Sequence, residues 1–298
     1  MQKIIDQDDW LKRYKNNEFN AIVELICHHH KIDCKKIEKI YCDENALFKI
    51  GDKIVKVYNP LVLSKEKQIA EVEGYKRANK LNLPVPKILN TGIIEGEDNC
   101  YYMIMDYIDG TSLKCKIPNE EKMIELSYIL KNFLSTYNTS PTPKDLFYLR
   151  TDCDKFKYEL ISKGLVADLK KLYNELDFQK VYYVHADLHK GNILLDTKNQ
   201  FKVIDFGDAK IAPKCCEFPP IICWLYHFNS ILVENTFEMP LDILKEELLK
   251  GFVVNDFGTD CLQDMCDYLD YGNIKKIKNI QELKQLINKA FEKGKIAR

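Results

Sequence analysis

The sequence predicts an α+β chain in two lobes, rich in β-strand over residues 1–106 and mainly helical over residues 107–298. Two observations carry that prediction. Before residue 106, short β-branched and aromatic runs recur between turn residues, at 36–41, 45–50, 53–58, 87–92 and 101–105. After it, apolar residues recur at helical spacing over 119–137, 155–176, 221–233, 241–254, 260–269 and 280–291. Size agrees: 298 residues, 46% of them hydrophobic, suffice for two cores.

Taken in order, residues 6–30 read as one or two amphipathic helices ahead of the first strand. His28, His29 and His30 follow one another there. Three consecutive side chains on a helix point about 100° apart, so they do not converge on one metal ion. They suit a helix C-terminus, where the dipole favours positive charge. Gly51-Asp52 turns the second strand into the third. A helix over 64–82 is ended by Pro84 and Pro86. The acidic turn 95–99 joins the next two strands, and Pro141-Thr142-Pro143 punctuates the first helical pair. Farther on, 181–184, 193–195 and 201–204 read as short strands, the last two joined as a hairpin by the polar turn 196–200.

Composition narrows the function classes. A net charge of -1 leaves no electrostatic footprint for nucleic acid. No apolar stretch approaches a membrane span; the nearest, 218–233, carries His227, Asn229 and two prolines. Eleven cysteines, odd in number and without a C-x-x-C pair, fit neither a disulfide framework nor a zinc site. Residues 1–9 show neither a basic segment nor an apolar one of the secretory type. The expectation is a cytoplasmic protein with mostly buried free thiols, monomeric or weakly dimeric.

The chemistry is concentrated in one run. His185-Ala186-Asp187-Leu188-His189-Lys190-Gly191-Asn192, followed by Asp205-Phe206-Gly207, reads as H-x-D-x-x-x-x-N and then D-F-G. That is the spacing of the catalytic loop and metal-binding motif of a two-lobed protein-kinase-like fold. Asp187 is placed to accept the proton of a substrate hydroxyl as the γ-phosphoryl leaves ATP. Asn192 and Asp205 are the candidate Mg²⁺ ligands. Ile54-Val55-Lys56-Val57-Tyr58 sets a lysine among β-branched residues on an internal strand, the pattern of a lysine that contacts the α- and β-phosphates. Its ammonium needs a carboxylate from the following helix. Glu71 and Glu73 both qualify but point about 200° apart, and Glu71 shares its face with Gly74, Tyr75 and Ala78. Glu71 is therefore the expected partner. Asp106 and Ile108, straight after the last strand of the first lobe, are assigned as backbone contacts to the adenine edge, because alternate residues of an extended segment face one way. ATP is expected in the cleft between the lobes.

The first glycine is Gly51, so a G-x-G-x-x-G loop ahead of the lysine strand is excluded. Phosphates must be covered otherwise, through the backbone of 42–45 or the side chain of Asn45. No A-P-E sequence and no hydroxyl-rich activation segment follow Gly207, which argues against a regulated protein kinase.

The runs from His185 to Leu194 and from Ile204 to Ala209 resemble the aminoglycoside phosphotransferase and choline kinase superfamily. Leu83-Pro84-Val85-Pro86-Lys87-Ile88-Leu89 and Met105-Asp106-Tyr107-Ile108-Asp109-Gly110 resemble segments of that family at the corresponding places. The resemblance covers roughly residues 40 to 225 and is carried most strongly by the catalytic loop. It implies Asp187 as base, Asn192 and Asp205 as Mg²⁺ ligands, Lys56 and Glu71 as the nucleotide-positioning pair, and ATP or GTP as donor. It implies a supporting role for His185 and a place for His189 facing the transferred phosphoryl. Where the family has an aspartate in a D-L-A-like motif bracing the catalytic loop, this chain has Glu217-Phe218-Pro219.

For the acceptor, residues 253–271 hold Asp256, Asp260, Asp264, Asp267 and Asp270 with no lysine or arginine. Asp260, Asp264 and Asp267 fall on one helical face. Such a face would attract a polycation or would simply be solvated. The leading expectation is Mg²⁺-dependent phosphorylation of a small, hydroxylated, cationic molecule, an aminoglycoside before others. The alternatives are a metabolic kinase for choline, ethanolamine or a sugar, and a nucleotide-binding module without catalysis.

Overall fold

The computed structural model describes residues 3–42, 44–62, 64–97, 99–141 and 156–296. The chain divides into two compact units, with the division after Gly110.

The first unit holds a five-stranded antiparallel sheet built from β1 (Glu38–Cys42), β2 (Asn45–Ile50), β3 (Lys53–Tyr58), β4 (Ile88–Ile94) and β5 (Cys100–Asp106). The spatial order is β1-β2-β3-β5-β4, so β3 lies at the centre, paired with β2 and β5. Gly51 sits at φ +60° in the two-residue β2–β3 turn, a conformation that a side chain at this first turn position disfavours. Two helices precede the sheet, α1 (Gln7–Lys15) and α2 (Asn20–His29). Trp10, Phe19, Val23 and Ile26 from this segment form one buried cluster with Phe48, Val55, Val57, Tyr102 and Ile104. Because strand side chains alternate, Lys56 and Tyr58 project to the other face, toward α3 (Ser64–Lys80). His28 and His29 lie in the last turn of α2, and His30 ends it with Nε2 2.8 Å from the Tyr102 hydroxyl.

In the second unit, α4 (Glu120–Tyr137), α5 (Lys163–Asn174), α6 (Ser230–Phe237), α7 (Leu241–Val254), α8 (Gly258–Tyr268) and α9 (Ile280–Ile296) surround two small sheets. One pairs β7 (Tyr182–Val184) with β10 (Lys210–Ala212); the other orders β6 (Gly110–Ser112), β8 (Ile193–Asp196) and β9 (Phe201–Val203) as β6-β8-β9. Asn119, Ser162 and Asn229 cap α4, α5 and α6 with side-chain oxygens, which satisfies N–H groups the first turn leaves unpaired. Leu126, Leu130 and Phe133 of α4, Phe206, and Leu248 and Phe252 of α7 are buried in this unit.

Two helical expectations need correction. The run over 155–176 is broken: a 3-10 turn at Tyr158–Leu160 precedes α5, with Ser162 restarting the helix, and Lys155 lies outside the described residues. The run over 221–233 is a π-helical turn, Pro220–Leu225, separated from α6. His227 and Phe228 adopt φ +45° and +61°, which no right-handed helix accommodates. Apolar periodicity continued across the break because both pieces carry buried apolar residues, Ile221, Ile222 and Leu225 in the first and Leu232 and Val233 in the second; the backbone could not.

Candidate active site

In the second unit, β7 feeds directly into the predicted catalytic loop. His185 is fully buried with its ring 4.5 Å from that of Phe206. Its Nε2 lies 3.2 Å from the Ile204 carbonyl, and its Nδ1 accepts the Asp187 N–H at 3.4 Å. Burial lowers its pKa to about 4, so the imidazole is neutral and supports the loop.

Ala186 turns the chain at φ +67°, and Asp205 at φ +62°. Left-handed backbone at non-glycine residues costs of the order of 1–3 kcal/mol each and persists only where the surroundings hold it. At Ala186 they do. Glu217 accepts the His185 N–H at 2.7 Å on one oxygen and the Ala186 N–H at 3.0 Å on the other. Burial pushes the Glu217 carboxyl up to about 7, against the pull of those two N–H groups, Asn138 and the charge of Lys210.

Beyond this turn stands Asp187. Asn192 donates both amide hydrogens to it, to the backbone carbonyl at 2.9 Å and to Oδ2 at 2.8 Å, so the Asn192 carbonyl oxygen remains as an acceptor. His189 Nδ1 accepts the Gly191 N–H at 2.8 Å, which leaves Nε2 as the protonated nitrogen, 3.5 Å from Asp187 Oδ2. A methyl group on Gly191 would lie 2.4 Å from the His189 ring. The other carboxylate oxygen, Oδ1, is buried and has no hydrogen-bond partner. Desolvation raises the Asp187 pKa to about 6, with His189 opposing the shift. Asp205 Oδ1 accepts the Gly207 N–H at 3.4 Å, closing the turn after β9.

In the first unit, Lys56 Nζ lies 2.9 and 2.8 Å from the two Glu71 oxygens, and the Tyr58 hydroxyl donates to Glu71 at 2.7 Å. All three residues are buried. Glu73 faces outward and pairs with Lys76. Asn45 has a structural contact: its side-chain oxygen accepts the Asn59 N–H at 3.3 Å. Asp106 ends β5 with its N–H on the Lys87 carbonyl at 3.0 Å, so of its backbone groups only the carbonyl can meet a base. Ile108 follows in irregular backbone. Asp43 lies outside the described residues.

Part of the acidic stretch is paired with lysines, while Asp264 and Asp267 on α8 are exposed. Asp256 pairs with the fully buried Lys210 at 2.7 Å, and Asp260 with Lys157 at 3.1 Å. Asp264 accepts the Trp224 indole N–H at 2.5 Å, and Asp267 accepts from Gln263 at 2.8 Å. The lysines come from distant sequence, which a local charge count cannot see. Trp224 also stands edge-on to His189, with ring centroids 5.9 Å apart. Three contributors went unnoticed in the sequence: Tyr58, two residues from Lys56 and so on its face; Lys210; and Asn255, a lone polar residue closing the apolar end of α7. Only Tyr58 carried a usable signal. Among the described residues, no three His, Cys, Asp or Glu side chains cluster as a metal site, and the nine cysteines whose side chains are described are unbridged.

Comparison with known proteins places this geometry. Residues 138–249 match the model of the phosphotransferase enzyme family. Among curated sequences, the serine/threonine-protein kinase PSK1 of Saccharomyces cerevisiae is 27% identical over 157 residues, 50% of this chain and 11% of the relative. The chain thus spans about a tenth of that relative's length. Among solved structures, the GDP complex of an aminoglycoside 2'-phosphotransferase-IIIa superposes with a TM-score of 0.62 at 13% identity, covering 93% of this chain and 99% of the other. A microcompartment-associated aminopropanol kinase gives 0.60 at 14% identity, covering 92% and 94%. No helix among the described residues is long and apolar enough to cross a membrane. The fold is the two-lobed protein-kinase-like one, and the resemblance to phosphotransferases is borne out over residues 138–249.

Proposed function

We propose that the protein is an O-phosphotransferase that moves the γ-phosphoryl of ATP or GTP to a hydroxyl of a small amine-bearing molecule, with Asp187 as general base. One observation carries this reading: Asp187 holds one oxygen fixed by Asn192 while the other, Oδ1, is buried and unpartnered. A buried acceptor without a donor costs free energy, and such an atom in a conformation held from several sides marks a function. An acceptor hydroxyl at Oδ1 gives its proton to Asp187 as its oxygen bonds to the γ-phosphorus. The bond from that phosphorus to the β-bridging oxygen breaks, and the nucleoside diphosphate leaves.

The remaining residues have roles consistent with that step. The Asn192 carbonyl oxygen and the Asp205 carboxylate are hard oxygen donors of the kind Mg²⁺ takes; when bound there, the metal would neutralise charge on the phosphate oxygens. Lys56, fixed by Glu71 and Tyr58, would contact the α- and β-phosphates, and the Asp106 carbonyl and Ile108 N–H would meet the base. His189 orients the Asp187 carboxylate. For the acceptor, an aminoglycoside is the first candidate, given the resemblance and the fold shared with an aminoglycoside phosphotransferase. The neutralised Asp256 and Asp260 favour a second: a small amino alcohol, the class named by the aminopropanol kinase neighbour.

The test is a coupled turnover assay with Mg²⁺ and ATP or GTP against aminoglycosides, aminopropanol, ethanolamine, choline and simple sugars. Turnover on an amine-bearing alcohol, lost in Asp187→Asn, is the expected result. Folded protein that binds nucleotide but phosphorylates none of the panel would overturn the acceptor assignment.

A further inference from the structure

Asn255 and Asp256 leave α7 side by side and reach two different parts of the site. The Asn255 side chain is buried, and besides a longer contact of its amide with Cys216 Sγ at 3.7 Å it forms three hydrogen bonds to backbone. Its amide donates to the Ala186 carbonyl at 2.8 Å and to the Cys216 carbonyl at 2.6 Å, and its oxygen accepts the Phe257 N–H at 2.8 Å. The left-handed residue Ala186 is therefore held through both of its flanking peptides, at its N–H by Glu217 and at its carbonyl by Asn255. Cys216 immediately precedes Glu217, so the same amide also fixes the segment that presents the Glu217 carboxylate. Asp256 grips Lys210, fully buried on β10, five residues past Asp205. Lys210 is registered against Val184, the residue before His185, and its charge is felt by Glu217.

We propose that Asn255 and Asp256 form a clamp that sets the base-bearing turn against the strand following Asp205, making both positioning residues for phosphoryl transfer. The proposal rests on the function assigned above. A cap for α7 alone would need only the Phe257 N–H contact, which fixes the chain leaving the helix. The two amide hydrogens spent on Ala186 and Cys216, and a buried lysine paired with the adjacent residue, do nothing for the helix end. They hold a conformation that alanine disfavours, one residue before Asp187.

Asn255→Asp tests this in the full chain. The substitution keeps the shape and the acceptor for Phe257 but turns an oxygen toward two carbonyls. Nucleotide affinity is read by titration with Mg²⁺-ATP and turnover by the best acceptor or by slow nucleotide hydrolysis. We expect kcat to fall on the order of 30- to 100-fold, since a small misplacement of a reacting group costs that much, with nucleotide Kd within about twofold. Adding Ala186→Gly, which removes the penalty for the left-handed turn, should recover about threefold or more of the lost kcat. Amide exchange at His185 and Ala186 should accelerate in the single variant. If Asn255→Asp does not fold, Asp256→Asn, which weakens the grip on Lys210 without changing shape, should give the same split between kcat and Kd. Equal loss of kcat and nucleotide affinity, unchanged exchange at the turn, or no recovery with glycine would each overturn the clamp. Wild-type protein with no turnover would overturn the phosphotransfer reading, while the exchange measurement would still decide whether Asn255 holds the turn.

Discussion

The Lys56 centre of the first unit and the Asp187 centre of the second are both buried and ionisable, yet they are built on opposite plans. At Lys56 each charged atom faces its opposite, and a tyrosine hydroxyl completes the carboxylate. At Asp187 the carboxylate follows a left-handed residue, leans on the Asn192 amide and the His189 ring, and keeps one oxygen unpartnered. The first arrangement is a satisfied network, whose removal is felt as lost stability and lost preorganisation. The second holds an unmet demand, which a substrate hydroxyl would meet. Satisfaction in one place and deliberate deficit in the other separates residues that position from the residue that reacts.

The largest effect that would break this contrast is on Asp187→Asn. Turnover should fall by about three orders of magnitude, as for loss of a positioned base. The metal-free protein should respond in the other direction. Because burial raises the Asp187 pKa from its ordinary 3.8 to about 6, the stability tied to its protonated form is complete below 3.8 and lost as pH rises through about 6. Above pH 6 the asparagine variant should therefore melt higher than wild type without metal, and below pH 4 the two should converge. A variant that melts lower at pH 8 would mean that the carboxylate is already satisfied.

Next in size is the satisfied centre. Lys56→Met removes the cation paired with the buried Glu71 carboxylate, and the expected cost is about 3–5 kcal/mol in denaturant unfolding. The double variant Lys56→Met with Glu71→Leu removes both charges together and should recover most of that loss. Both variants should lose nucleotide affinity. If the double variant is no more stable than the single one, the charge pair does not explain the cost.

Glu217→Gln follows. The change swaps one acceptor for a donor where two backbone N–H groups converge, so one of His185 or Ala186 loses its partner. A loss of about 1–3 kcal/mol, the cost of an unsatisfied buried donor, should accompany a fall in kcat that exceeds any change in nucleotide Kd. Chemical denaturation and steady-state kinetics measure the two effects separately.

How much of this could be read from the sequence follows the range of each interaction. The loop around Asp187 was legible because spacing fixes which residues return to the same turn: Asn192 reaches Asp187 across five residues. The lysine strand was legible through its β-branched neighbours, and the choice of Glu71 over Glu73 followed from helical phase. The pairing of Asp260 and Asp256 was not legible because their lysines, Lys157 and Lys210, lie 103 and 46 residues away. The break after Leu225 escaped because apolar periodicity reports burial and not backbone dihedrals. Asn255 could not be found by any local rule, since its partners are carbonyl oxygens at positions 186 and 216.

The smallest effect expected is also the sharpest test of completeness at the first centre. Tyr58→Phe deletes only the hydroxyl that donates to Glu71 at 2.7 Å, leaving the ring in the core and Lys56 in place. A hydrogen bond to a charged group contributes about 1.5–3 kcal/mol, and here Lys56 continues to satisfy the carboxylate, so the loss should sit at or below the lower end. Nucleotide affinity should weaken by less than in Lys56→Met, because the ammonium keeps its partner while that partner gains freedom. Thermal melts with and without Mg²⁺-ATP separate these contributions. An effect as large as that of Lys56→Met would mean that the tyrosine holds the carboxylate and the lysine follows, reversing the order of support at this centre.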